Sequence, residues 1–293
     1  MLIFSYLLMT GVTTGALYAL VALGIVVVNK ATGVINFAHG ELFMLSGFIA
    51  WTLHVPFGVD YPLAFVLTVI AGFVVGSMTE RIAFRPIAKS DIVSLVLATV
   101  GIAFVLRGLA RMIWGGKADY LSFPPITSPE PIMIGDVLVI PQQLAVLAGA
   151  IAIMLVFTAF FRLTRTGKMM QATADNARAA TLVGIRTERV YTMSFGIGAA
   201  IAAAAAVLMA PLTLLYPDMG FPFFVKGFAA AVLGGLTSLP GAVAGGVIVG
   251  IVEALAGGYI HSSFMEVSPF ILIMIVLVLR PAGLFSFHRI RRV

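Results

Sequence analysis

Apolar runs of roughly 20 residues recur along this whole chain, from "SYLLMTGVTTGALYALVALGIVVV" near its start to the end of "SPFILIMIVLVL". At 1.5 Å of helix rise per residue, a run of that length matches a hydrocarbon layer about 30 Å thick. Inside such a layer every backbone N–H and C=O must be satisfied by the protein itself, which leaves helices or a closed barrel. A barrel needs alternating strands of about 10 residues, and these runs are continuous. Charged residues make up 10% of the chain, against about a quarter in soluble domains. The expected fold is all-α: a polytopic helical membrane protein whose residues 1–293 form one transmembrane domain.

The spans are expected near 4–28, 33–54, 62–80, 92–114, 142–161, 191–215, 223–239, 241–260 and 265–280. That is eight or nine membrane segments, because the run at 33–54 carries Asn36, His39 and Glu41 and reads as a broken or re-entrant helix. The runs 223–239 and 241–260 are separated only by a turn around Pro240-Gly241. The first run has no basic segment before it and exceeds a signal-peptide core, so it is expected to be a retained helix.

Basic residues set the orientation. Lys30, the loop 81–91 (Arg81, Arg85, Lys89), the loop 162–190 and the tail (Arg280, Arg289, Arg291, Arg292) hold 14 of the 18 Lys and Arg. The positive-inside rule makes that face cytoplasmic. The opposite connections carry Asp60, Asp119, Glu130, Asp136, Asp218 and Glu266, and the loop 115–141 is proline-rich, as suits an ordered external loop. Nine crossings then take an external N-terminus to a cytoplasmic C-terminus.

Several function classes fall away. The chain has no cysteine, and its four histidines are scattered without metal-ligand spacing. The net charge of +6 is explained by cytoplasmic loops, so no nucleic-acid partner is called for. No HExxH helix, GxSxG elbow or Walker A loop occurs. The chain is read as a transport protein, not an enzyme, with no cofactor of its own.

Polar residues inside membrane runs carry the remaining information, because an ionisable group there is expensive. Asn36 and His39, three apart, share a face if the stretch is helical, while Glu41 points elsewhere. Gly33 and Gly40 weaken the helix and free backbone groups. Two readings stay open: the cluster lines a substrate pathway, or it is a structural network holding a broken helix. Arg107 and Arg111 lie four apart on one face, to meet an anionic carboxylate, to pair with Glu41 or Glu253, or to snorkel outward. Glu253 calls for a pairing partner, and Lys226 is expected to snorkel to the external surface.

Small residues suggest tight helix packing. Gly11/Gly15, Gly72/Gly76, Gly241/Gly245 and Gly246/Gly250 have GxxxG spacing, and "FGIGAAIAAAAAVLMAP" presents a smooth helix. Within the loop 162–190, one short amphipathic helix is expected to carry Met170, Thr173, Ala174, Ala177, Ala180 and Thr181 on one face, ending at Gly184-Ile185. That element is either a docking helix for a cytoplasmic partner or a solvated basic loop.

Three stretches, "GVINFAHGELFMLSGFIA", "QATADNARAATLVGI" and "GFAAAVLGGLTSLPGAVAGGVIVGIVEAL", resemble signature regions of branched-chain amino-acid ABC transporter permeases of the LivH type. The resemblance runs in order from Leu17 to the "LRPAGLF" that ends at Phe285. It implies the ABC-importer permease fold and a multi-pass subunit of the bacterial inner membrane, paired with a LivM-like second permease. It further implies two cytoplasmic ATP-binding subunits, which would consume the ATP, and an external solute-binding protein. The segment Ala172–Ile185 would be the ATPase-coupling element, with Ala172, Asp175, Asn176, Ala179, Leu182 and Gly184 at matching positions. The expected cargo is a branched-chain or other apolar amino acid. Urea or a short amide is the alternative within this permease type, and a self-contained secondary transporter the alternative outside it.

Overall fold

The computed structural model describes residues 2–88, 90–116, 120–128, 130–134, 137–280 and 283–285. Lys89, Asp119, Asp136, Arg289, Arg291 and Arg292, used above to argue orientation, lie outside the described residues, as do Pro281 and Ala282 of the terminal motif. Eleven α-helices occur among the described residues. In chain order they are α1 (Leu2–Thr32), α2 (His39–His54), α3 (Tyr61–Thr79), α4 (Ile92–Trp114), α5 (Pro141–Leu163) and α6 (Arg165–Asp175). Then follow α7 (Ala177–Leu182), α8 (Thr187–Met209), α9 (Gly220–Gly234), α10 (Leu239–Tyr259) and α11 (Phe264–Leu279).

Six of them, α1, α3, α4, α5, α8 and α10, are long and apolar enough to cross a membrane. The helices α2, α9 and α11 have 16, 15 and 16 residues, a rise of roughly 22–24 Å. That is less than a hydrocarbon layer of about 30 Å. Helix length therefore supports six spans among the described residues and does not by itself establish the eight or nine segments, or the external N-terminus that nine crossings imply. The nine apolar runs expected from hydropathy include three that fold into helices this short, because hydropathy registers apolar length and not where the helical backbone stops, as it does at 33–38 and 213–219.

Helix α1 is apolar all round and lies at the centre, with Leu17, Ala19, Leu20, Ala22, Ile25 and Val26 sealed from solvent, as an all-apolar helix must be. Its neighbours approach through glycine. A Cβ on Gly15 would sit 2.8 Å from Gly246 O of α10, and one on Gly11 would sit 2.9 Å from Gly250 O. The alanine-rich α8 is the second buried helix. Gly72 and Gly76 of α3 face Ala203 and Ala199 across it. Gly241 and Gly245 bring α10 against Gly234 and Ala230 of α9. Each GxxxG pair thus marks a real helix contact. Apolar side chains on α3, α4, α5 and α11 point outward.

The run 33–54 is a broken element. Helix α1 continues through Asn29 and Lys30 to Thr32, and Gly33 then takes φ +74°, a conformation that costs a residue with a Cβ. Residues 34–38 are non-helical before α2 begins. The turn between α9 and α10 spans 235–238 rather than Pro240-Gly241, because Pro240 sits in the first turn of α10, where its missing N–H costs nothing.

Within 115–141 a short antiparallel hairpin, β1 (Ile132–Ile134) with β2 (Val137–Val139), is the one departure from helix among named elements of the described residues. The loop is tied to the bundle: Ile126 N and Thr127 N donate to Gln142 Oε1, and Trp51 Nε1 donates to Ser122 O at 3.0 Å. At the other end Asp91 caps α4, accepting from the hydroxyl and backbone N–H of Ser94, which holds its carboxyl below the usual carboxylate range.

Candidate functional site

The break between α1 and α2 builds the first polar cluster. Asn36 is buried, and its Oδ1 accepts from Ala38 N at 3.0 Å, so its side chain shapes the turn into α2. Phe37 N donates to Thr99 Oγ1 of α4 at 3.2 Å. His39 opens α2 and is fully buried, its ring pressed so closely on α1 that a Cβ on Gly24 would lie 2.5 Å from it. The imidazole nitrogens make no hydrogen bond of ordinary geometry among the described residues, nor does Asn36 Nδ2.

Glu41, two residues on, turns to a different neighbour. Its Oε1 accepts from Arg107 Nη2 of α4, and Gly40 and Gly220 let the start of α9 close over it. Arg107 Nε lies 3.8 Å from Asp218 Oδ1, and Arg111 Nη2 donates to both oxygens of Asp218 at 2.7 Å. The four charges form a graded chain. Glu41 is 2% exposed, Arg107 23%, Asp218 52% and Arg111 57%. Of the alternatives open for the arginines, Arg107 thus takes Glu41, whereas Arg111 takes Asp218, which the sequence offered only as a loop acid.

A second cluster joins α1, α9 and α10. Glu253 Oε1 accepts from Lys226 Nζ at 2.6 Å and from Tyr18 Oη at 3.3 Å. Lys226 therefore turns inward, contrary to the expected snorkelling. The signal was present: Lys226 is the sole charge in α9 and Glu253 the sole charge in α10. The second oxygen, Glu253 Oε2, has no partner among the described residues, and Glu253 lines a cavity of about 240 Å³ with Thr10 and Thr14. A third cluster went unread. Glu80 is buried beneath Arg85, whose Nε and Nη2 each donate to it at 3.2 Å, and Thr192 Oγ1 donates to it at 2.7 Å.

The loop 162–190 is two helices, not one. Asn176, with extended backbone at φ −160°, ends α6 and caps α7 by accepting from Ala179 N at 3.0 Å. An Asn inside a helical pattern favours such a cap, and this splits the expected face. Met170, Thr173 and Ala180 are buried, while Thr181 is exposed. Ala172, Asp175, Asn176, Ala179, Leu182 and Gly184 all lie on the outer surface. Gly184 turns the chain at φ +87°, and Leu182 and Val183 stand 88% and 78% exposed at the tip.

Chemically these clusters are ion pairs and hydrogen bonds that join one helix to another. Among the described residues no group of three or more His, Cys, Asp or Glu could hold a metal ion.

A family described as the permease component of the branched-chain amino acid transport system matches residues 7–279. The high-affinity branched-chain amino acid permease protein LivH of Salmonella typhimurium is 31% identical over 296 residues, 97% of this chain and 96% of that protein. LivH of Escherichia coli K12 is 32% identical over 297 residues with the same shares. BraD of Pseudomonas aeruginosa, a permease protein of the same description, is 32% identical over 99% of both chains. Among solved structures, PsaBC from Streptococcus pneumoniae in complex with Fab resembles it with a TM-score of 0.52 over 94% of this chain and 93% of that one. At 11% identity that likeness concerns the fold alone.

Proposed function

This chain belongs to the permease-component family of branched-chain amino acid transport systems, and we propose that it is one membrane half of an ATP-driven importer of branched-chain or other apolar amino acids. The observation that carries the reading is similarity over essentially the full length to permeases described for that cargo. The exposed α6–α7 element supports it further. A solvated connection has no need of a capped helix ending in Leu182 and Val183, whereas a partner groove would cover them. This sequence has no Walker A loop, so nucleotide hydrolysis falls to separate ATP-binding subunits. A second, LivM-like permease and an external solute-binding protein complete the assembly, with the face bearing α6 and α7 cytoplasmic.

In this reading ATP-driven closure of the partner subunits moves α6 and α7. The buried ion pairs and glycine contacts make the bundle respond in near-rigid groups rather than helix by helix. Direction comes from nucleotide binding, since only a ligand with different affinity for two states shifts them. Asn36, His39 and Glu41 serve chiefly as structure at the α1–α2 break.

The test is reconstitution of the chain with its second permease, ATP-binding subunits and binding protein in vesicles. ATP-dependent uptake of leucine, and none by the single subunit, is expected. Uptake by the single subunit without ATP overturns the proposal, and uptake of urea or acetamide in place of leucine transfers it to the other cargo.

A further inference from the structure

A groove of about 1100 Å³ runs between the end of α3 and the start of α8. Its floor is apolar, formed by Phe73, Val74, Met78 and Met193, and its rim carries Arg81, Arg85, Arg186 and Arg189. Thr181 near the end of α7 and Gly184 in the turn beyond it close one side. We propose that this groove binds an anionic phospholipid, with the phosphate among the arginines and one acyl chain along the floor.

Three observations select that occupant. The first is charge. Arg85 is already engaged by Glu80 and Thr192, but Arg81, Arg186 and Arg189 have no carboxylate within 4 Å among the described residues. Glu188, the acid on this rim, is held 3.8 Å from Arg85. Three unneutralised guanidiniums around one opening fit a phosphate, which arginine grips bidentately.

The second is position. The arginines stand where α3 ends in a π-helical turn (Glu80–Phe84) and α8 begins, at the ends of two helices long and apolar enough to cross a membrane, which is where headgroups would meet them. Basic pockets between helices at headgroup level favour acidic lipids.

The third is continuity. Val74 and Met78 belong to an outward stripe of α3 that includes Leu63, Leu67 and Ile70, all 39–55% exposed. The floor therefore opens onto the lipid-facing side, and an acyl chain enters laterally without desolvating a polar wall. A bound lipid would bridge α3 to the α7–α8 connection.

The experiment uses the full chain in detergent and in phosphatidylcholine nanodiscs, titrated with phosphatidylglycerol, with retained lipid counted by native mass spectrometry. Replacing Arg81, Arg186 and Arg189 together by glutamine is expected to lower phosphatidylglycerol retention on the order of a hundredfold. The triple variant Arg162→Gln, Arg165→Gln, Lys168→Gln removes equal charge outside the groove and is expected to bind as the unmodified chain does. Val74→Trp, which fills the floor without touching charge, is expected to lower retention of the lipid but not binding of glycerol phosphate. Equal loss in the control triple, absence of any phosphatidylglycerol preference, or binding of glycerol phosphate as tight as the lipid would overturn the proposal. So would protection of the groove only in the presence of a partner subunit, which would make it a protein interface.

Discussion

The ammonium of Lys226 lies 2.6 Å from Glu253 Oε1, across the interface between α9 and α10, and Tyr18 of α1 reaches the same oxygen. Neither α9 nor α10 has another charge, so this pair alone fixes their register electrically. Both side chains are largely buried, at 18% and 6% exposure. Removing one partner from a buried pair strands the other and typically costs about 3–5 kcal/mol, whereas removing both costs much less. Lys226→Met should sharply reduce the yield of folded chain, and Lys226→Met combined with Glu253→Gln should restore most of it. Monodisperse yield after size-exclusion chromatography reads this out; a double variant as poor as the single one would show that the lysine acts through something other than Glu253.

Arg107 and Arg111 are separated by one helical turn but should behave differently. Arg107 compensates the buried Glu41, while Arg111 meets Asp218 where both are more than half exposed. Exposed pairs contribute about 0–1 kcal/mol. Arg107→Gln is therefore expected to lower folded yield and thermal midpoint far more than Arg111→Gln. Glu41→Gln should likewise damage folding more than it changes substrate preference. Intact yield with altered uptake kinetics for Glu41→Gln would instead place the carboxylate in the substrate path.

Glycines divide into two groups by what surrounds them. A Cβ on Gly250 would run into the α1 backbone at Gly11 and Gly15, whereas one on Gly108 of α4 meets nothing within 4 Å. Overpacking of this kind costs about 1–3 kcal/mol. Gly250→Ala should thus lower the melting temperature in detergent. Gly108→Ala should leave it unchanged or raise it, because a mid-helix glycine is about 0.5–1 kcal/mol worse than alanine. Equal melting temperatures for the two variants would mean that α1 and α10 do not meet through these residues.

The helix contacts were readable because small-residue spacing has a single physical use in a membrane, and Gly11, Gly15, Gly246 and Gly250 say it unambiguously. The break before His39 was readable for a similar reason, since Gly33 and three polar groups do not belong in a spanning helix. Partnerships were not. Nothing in the spacing of Arg107 and Arg111 chooses between Glu41, Glu253 and Asp218, because that choice is made by where α4 lies against α2 and the 213–219 segment. Likewise Glu80 and Arg85 look like an ordinary loop pair until Thr192 of α8 is brought beneath them. The loop 162–190 kept its amphipathic signal but hid its break, since an Asn is compatible with either a helix interior or a cap.

Ala179 and Ala180 are adjacent on α7, yet one faces out and the other is 3% exposed. That contrast separates docking from folding. Ala180→Trp must displace the packing beneath α7 and is expected to destabilise the chain itself. Ala179→Trp leaves that packing untouched, so the permease should fold normally. On the reading proposed above, the bulky ring would still obstruct the groove of the ATP-binding subunit. An overpacked contact costs about 1–3 kcal/mol, which weakens docking by roughly one to two orders of magnitude. Arg178→Gln, an exposed charge change on the same helix, should do less. Leu182→Asp should resemble Ala179→Trp, because a side chain so exposed and apolar gains most from being covered. Binding of the purified ATP-binding subunit to each variant in detergent, with ATP hydrolysis and uptake measured on the same preparations, decides the matter. Normal binding and coupling by both Ala179→Trp and Leu182→Asp would leave α7 as a solvated turn and remove the structural support for a coupling role.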